Sequence, residues 1–135
     1  LHRFLVACAR QRLVRSAHDI SEGGFAVALT ESALIGNCGV QVNLPHEAFR
    51  WAQGRRDAIL FSEAQTRVIL SAPNEAVPAI QSMAQAHGLA CYRIGETGGE
   101  EVAIAYEGEP LIRLSLQACR NAYENAIPHW MERRV

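Results

Sequence analysis

The residues best suited to chemistry lie in two short polar stretches. The first is Ser16-Ala17-His18-Asp19-Ile20-Ser21-Glu22-Gly23-Gly24-Phe25, set between two apolar helical patterns. Glycines at 23 and 24 remove Cβ atoms where a phosphate approaches backbone N–H groups, and the positive end of a helix dipole favours an anion there. Ser21 can cap that helix through its hydroxyl oxygen, with Glu22 complementing the dipole. His18 and Asp19 add a ligand contact or a carboxylate for a hard cation such as Mg²⁺. The competing reading is a plain capped turn in which Asp19 orders the chain and His18 packs, since the pattern is neither G-x-G-x-x-G nor a P-loop. The second stretch, residues 61–67, carries Ser62, Glu63, Gln65 and Arg67 at the entry to an apolar run. Arg67 pairs with Glu63 across the turn in one reading; in the other, Ser62, Glu63 and Gln65 face a ligand.

Other chemistries find little support. Ser16 and Ser21 lie near His18 without the G-x-S-x-G elbow that exposes a nucleophile, so no catalytic residue is expected. His2, His46, His87 and His129 are dispersed in surface-like contexts. Cys8, Cys38, Cys91 and Cys119 form no C-x-x-C pair and have no histidine at zinc-finger spacing, so no metal site is expected. They read instead as buried free thiols, which persist in a reducing cytoplasm. The formal charge is −1 and the 13 basic residues are scattered, apart from Arg10, Arg12 and Arg15 early and Arg133-Arg134 at the end. Nucleic acid is therefore not the expected partner. No apolar run approaches the roughly 20 residues that cross a bilayer, so no membrane association is expected either.

These residues must be positioned by elements that periodicity outlines. A helix is expected over residues 2–14, with Phe4, Leu5, Cys8, Ala9 and Leu13 near one stripe, then a short extended piece at 14–18. A second helix should run from Ser21 to about residue 35, stopped by Gly36-Asn37. Val40 and Val42 alternate with Gln41 and Asn43 as a half-buried strand closed by Pro45, and a short helix follows at 46–53. Residues 58–63 form a brief apolar segment, and 67–71 a strand ended by Pro73. Asn74 can cap a helix to about residue 87, with Gly88 at its stop. Strands are expected at 91–94, 101–105 and 111–114, the first two joined as a hairpin or lying side by side, with 95–99 as a hairpin turn. Ser115 should begin a last helix ending near residue 126, before Pro128. The sum is one α+β domain over residues 1–135, with a mixed or antiparallel sheet packed by helices. Because the chain starts at Leu1 inside a helical pattern, it reads as a piece of something longer.

Four strings taken together resemble a known family: HDISEGGFAVALTESAL, LFSEAQTRVILS, YRIGETGGEEVAIA and LIRLSLQACRNAYENAIPHWM. In order and spacing they are similar to the second carboxy-terminal domain of phosphoribosylformylglycinamidine synthase of the small-subunit type. That family shares its fold with aminoimidazole ribonucleotide synthetase, selenophosphate synthetase and thiamine monophosphate kinase. The resemblance implies a fragment of an ATP-dependent carbon–nitrogen ligase of de novo purine synthesis, one that turns formylglycinamide ribonucleotide into formylglycinamidine ribonucleotide with glutamine-derived ammonia. It implies ATP and Mg²⁺ in the parent enzyme, none held by this piece alone. The implied partners are an ATP-binding amino-terminal domain, a first repeat of the same chain and a separate glutaminase subunit. Self-association of the isolated piece is a further expectation.

Residues 18–24 spell the second-copy turn, His-Asp-x-Ser-(Asp/Glu)-Gly-Gly, and the resemblance implies nucleotide or phosphate proximity for His18, Asp19, Ser21, Gly23 and Gly24. Where the family's first copy has a substrate-contacting Glu-Ser-Gln, this chain reads Glu63-Ala64-Gln65. The hydroxyl is missing, so direct catalytic contact from that loop is not expected, and the isolated chain should be inactive. The rival readings are another superfamily member, such as aminoimidazole ribonucleotide synthetase, and a non-catalytic docking or regulatory module.

Overall fold

The computed structural model describes residues 1–132, the His129 side chain excepted; the arginine pair at 133–134 lies outside them. The elements run α1 (His2–Arg10), β1 (Ser16–Asp19), α2 (Gly24–Gly36), β2 (Val40–Leu44), α3 (Arg56–Phe61), β3 (Val68–Ser71), α4 (Val77–Ala86), β4 (Gly95–Thr97), β5 (Glu101–Tyr106), β6 (Glu109–Ser115), α5 (Leu116–Glu124) and α6 (Ala126–Glu132). Short 3-10 segments stand at His46–Ala52 and Asn74–Ala76. The class is α+β, with a mixed sheet as expected. The residues group into two compact units, Leu1–Leu29 with Pro45–Ile94, and Thr30–Leu44 with the chain from Gly95 onward.

In the first unit α1 turns Phe4 and Cys8 inward against Ile80 and Ala84 of α4, and these four form a core cluster. Phe4 meets the exposed His87 ring edge to face at 6.2 Å. The unit's sheet has two strands, β1 antiparallel to β3, with Ser16 opposite Ser71 and Asp19 opposite Val68. Gly88 has φ 66° just after α4, the left-handed stop that its position suggests. Asn74 does not cap as expected. Pro73 takes the flanking position, and the Asn74 amide oxygen accepts from Arg93 Nη2 at 3.2 Å.

The second unit carries the four-stranded sheet, in the order β4-β2-β5-β6. Alternation in β2 buries Val40, Val42 and Leu44 on one face and exposes Gln41 and Asn43. Parallel pairing with β5 sets Val40 beside Val102 and Val42 beside Ile104, which makes this the apolar centre of the unit. The tight β5–β6 hairpin turns through Glu107 and Gly108, both at positive φ.

Two expectations fail here, and one helix is additional to those expected. Residues 91–94 are not a strand; the strand is Gly95–Thr97, inside the supposed hairpin turn. It does not pair with β5, because β2 lies between them. Gly95 permits this placement: a Cβ there would collide with the Gln41 backbone. The helix that Ser115 begins stops before Pro128 as expected, at Glu124, but a further helix follows it. Ser115 caps α5, accepting from the Ala118 N–H at 3.1 Å, and the chain restarts as α6 at Ala126. Pro128 then falls in a first turn, where its missing N–H has no intrahelical bond to lose.

Of the four thiols, all free, Cys8 and Cys119 are buried while Cys38 and Cys91 are half-buried. The expectation of uniform burial therefore holds for two of the four. Burial pushes the Cys8, Cys91 and Cys119 thiols above their ordinary pKa.

Candidate functional site

The two polar stretches, forty residues apart in sequence, meet in the first unit. Strand pairing brings them together. Beyond the β1–β3 ladder, the Ile20 N–H donates to the Arg67 carbonyl at 2.9 Å, so the chain leaving β1 runs beside the chain entering β3. Ile20 is 8% exposed; it anchors the turn into the core, while Asp19, Ser21 and Glu22 stay at the surface.

In the turn itself both glycine amides have partners within the protein. Helix α2 begins at Gly24, not at Ser21, and both glycines are left-handed, with φ 78° at Gly23 and 72° at Gly24. The Gly23 N–H donates to Glu63 Oε1 at 2.8 Å. The Gly24 N–H donates to the Ser21 carbonyl at 3.2 Å. Both amides expected to face an anion are thus engaged inside the protein, the first of them by a carboxylate. The glycines have a steric reason instead. A Cβ on Gly24 would stand 2.5 Å from the Phe61 carbonyl carbon, and one on Gly23 would stand 2.5 Å from Val27 Cγ2. The missing Cβ at Gly24 lets the Phe61 backbone lie against the start of α2, and the one at Gly23 leaves room for the Val27 side chain.

Arg67 organises the second stretch, without the expected Glu63 pairing. Its Nε donates to the Ala64 carbonyl at 3.1 Å and its Nη2 donates to the Ser62 carbonyl. The guanidinium carbon lies 5.3 Å from the centre of the Trp51 ring, a distance at which the ring's quadrupole attracts the cation. Nη1 is buried and has no hydrogen-bond partner among the described residues. Burial lowers the Arg67 pKa, but a guanidinium starts so far above neutrality that it stays charged. Thr66, at φ 66°, lets the loop turn sharply into β3. Ser62 Oγ accepts a long bond from the Ala64 N–H at 3.4 Å.

Between the stretches opens a cleft of about 510 Å³, lined by Asp19, Ser21, Glu22, Glu63, Gln65, Thr66 and Arg67 together with Leu1, His2 and Leu5 from the start of the chain. Asp19, Ser21, Glu63, Gln65 and Arg67 are thereby brought to one place. His18 is turned away: its Nδ1 donates to the Asp19 carbonyl at 2.7 Å, and the ring does not line the cleft. Sequence reasoning missed Trp51 and the α1 residues; nothing in their local pattern marks them, because strand pairing and tertiary packing bring them in. Three carboxylates and one guanidinium line the opening. The formal balance of those side chains is negative, and the exposed Asp19 and Glu22 carboxylates are acceptors for hydrogen-bond donors. Among the described residues no group of three or more His, Cys, Asp or Glu side chains is arranged to hold a metal ion.

The family described as AIR synthase related protein, C-terminal domain, matches residues 1–107. The chain belongs to this family. Among curated relatives, the phosphoribosylformylglycinamidine synthase subunit PurL of Moorella thermoacetica is 37% identical over 90% of the chain and 16% of its own length. That of Caldanaerobacter subterraneus subsp. tengcongensis is 32% identical over 98% of the chain and 17% of its own length. The chain therefore spans about one sixth of the length of these relatives. Among solved structures, T. maritima PurL complexed with FGAR superposes with a TM-score of 0.76 at 24% identity, covering 87% of this chain and 20% of that one. The same T. maritima protein has also been seen with ATP and as PurLQS. The superposition shows that the two chains share a fold over that span. No helix among the described residues is long and apolar enough to cross a membrane.

Proposed function

We propose that residues 1–135 are the second carboxy-terminal domain of a small-type phosphoribosylformylglycinamidine synthase subunit. The observation that carries this reading is the identity to synthase subunits over nearly the whole chain, 37% over 90% of it and 32% over 98%. The parent reaction joins ammonia, released from glutamine by a glutaminase subunit, to formylglycinamide ribonucleotide. ATP converts the amide oxygen into a phosphate leaving group, and nitrogen takes its place at carbon. Mg²⁺ offsets the phosphate charge when bound.

In this reading the amino-terminal domain and first repeat of the same cytoplasmic chain hold ATP and Mg²⁺. The residues present do not fit either group by themselves. The glycine amides are occupied, the cleft is rich in carboxylates, and no metal-holding cluster stands among the described residues. The cleft side chains Asp19, Ser21, Gln65 and Arg67 are nucleotide-proximal through donors such as ribose hydroxyls, with Gly23, Gly24, His18, Ser62 and Glu63 shaping the turn. Without the upstream domain nothing stabilises the charge that develops in the transition state, so the isolated chain is inactive.

The test is a chimera in which this chain replaces the matching segment of the M. thermoacetica subunit, assayed with formylglycinamide ribonucleotide, ATP, Mg²⁺ and ammonia beside the 135-residue chain alone. Product from the chimera and none from the chain is expected. A folded but inactive chimera contradicts the synthase assignment, and product from the chain alone contradicts its inactivity.

A further inference from the structure

Burial does not account for the place of Trp51. It is 47% exposed, whereas Phe49 and Phe25 beside it are 5% and 3% exposed and belong to the core. Three aromatic rings lead outward from that core. Phe25, the second residue of α2, meets Phe49 edge to face at 5.9 Å, and Phe49 meets the Trp51 ring at 6.3 Å with 42° between the planes. The Arg67 guanidinium lies over the Trp51 ring, so the series ends on a cation held by an aromatic face.

Arg67 in turn holds the backbone of its own loop. Its Nε and Nη2 donate to the Ala64 and Ser62 carbonyls, closing a turn in which Thr66 keeps φ 66°. A β-branched residue in the left-handed region is strained and persists only where its surroundings fix it. Glu63 of the same loop accepts from the Gly23 N–H, immediately before α2. The loop is therefore tied to the start of α2 twice, directly through Glu63 and indirectly through Arg67, Trp51, Phe49 and Phe25. Glu63, Gln65, Thr66 and Arg67 line the cleft, and Trp51 does not.

We propose that Trp51 is a positioning residue: by fixing the Arg67 guanidinium it holds the 62–67 loop in the shape that presents Gln65 to a nucleotide in the cleft. The proposal deepens the synthase reading above and rests on it for the nucleotide.

Hydrogen exchange on the 135-residue chain tests the positioning without reference to any activity. Trp51→Leu removes the aromatic face and should speed exchange of the Gly23 amide about fivefold, because Glu63 moves with its loop, while the Ala84 amide in the core of α4 keeps its rate. Trp51→Phe should restore the parent rate, and Arg67→Lys, which keeps the charge but not the two carbonyl bonds, should speed exchange as Trp51→Leu does. Unchanged Gly23 exchange in Trp51→Leu and Arg67→Lys overturns the proposal. So does acceleration that Ala84 shares equally, since that is loss of global stability. In the M. thermoacetica chimera, Trp51→Leu should raise the KM for ATP about fivefold with kcat within about twofold, and Trp51→Phe should restore it. An unchanged KM in an active chimera overturns the role at the cleft. An inactive chimera beside faster Gly23 exchange in the chain faults the synthase reading, and the exchange result still supports the hold of Trp51 on the loop.

Discussion

Gly23–Gly24 and Gly98–Gly99 are both glycine pairs at positive φ in polar turns, and both have amides or carbonyls bonded within the protein. Their surroundings differ. A Cβ at either of the first pair would strike Val27 or the Phe61 backbone, whereas at either of the second nothing lies within 4 Å. The second turn is held by the Gly39 backbone, whose N–H donates to the Gly99 carbonyl at 2.9 Å and whose carbonyl accepts from the Gly98 N–H at 2.7 Å. The first pair is needed for close packing as well as for backbone sign; the second is needed for sign alone. Glycine density therefore does not announce a ligand. The neighbour that would meet the missing Cβ tells why the glycine is there.

Substitutions can break that contrast in order of size. Gly24→Ala should destabilise most, by about 3 kcal/mol, adding left-handed strain to a clash with backbone that cannot swing aside; denaturant unfolding measures it. Gly23→Ala should cost about 2 kcal/mol, because the opposing group is a Val27 side chain that can shift. Gly99→Ala, strained at φ 71° but unclashed, should cost about 1 kcal/mol. If Gly99→Ala proves as damaging as Gly24→Ala, the steric explanation of the first pair is wrong. Glu63→Ala should cost about 1 kcal/mol through the lost bond to the Gly23 N–H, and the Gly23 amide resonance should move more than any other in the first unit.

A smaller effect gives the baseline. Burial holds the Cys8, Cys91 and Cys119 thiols above their ordinary value, so an unfolded chain releases those protons first as pH rises. Stability from this source is fully present below about pH 8.5 and falls as pH climbs beyond it. Urea midpoints at pH 7 and pH 10 should differ in that direction, and a midpoint that rises with alkali contradicts the burial of these thiols.

Local signals were the legible ones. Alternation located β2, Gly88 marked the end of α4, and Ser115 capped α5, each through groups within a few residues of one another. The family resemblance carried the fold and the kinship. What local pattern could not carry was pairing at a distance. The insertion of β2 between β4 and β5 depends on Gly95 meeting a backbone more than fifty residues earlier. The candidate site behaves the same way: local sequence offers Glu63 either Arg67 or a ligand as its partner, yet Glu63 accepts from the Gly23 N–H because β1 and β3 pair. Helix α6 was hidden by Pro128, a breaker in a helix interior and a tolerated residue in a first turn.

Above all, the 18–24 turn is closed by its own protein, with the Glu63 carboxylate and the Ser21 carbonyl holding the glycine amides. The decisive experiment titrates the ¹⁵N-labelled chain with inorganic phosphate at constant ionic strength while following the Gly23 and Gly24 resonances. A closed turn gives no saturable movement of either amide at millimolar phosphate. Saturable shifts centred on those two amides, with the Glu63 carboxylate released, would contradict it.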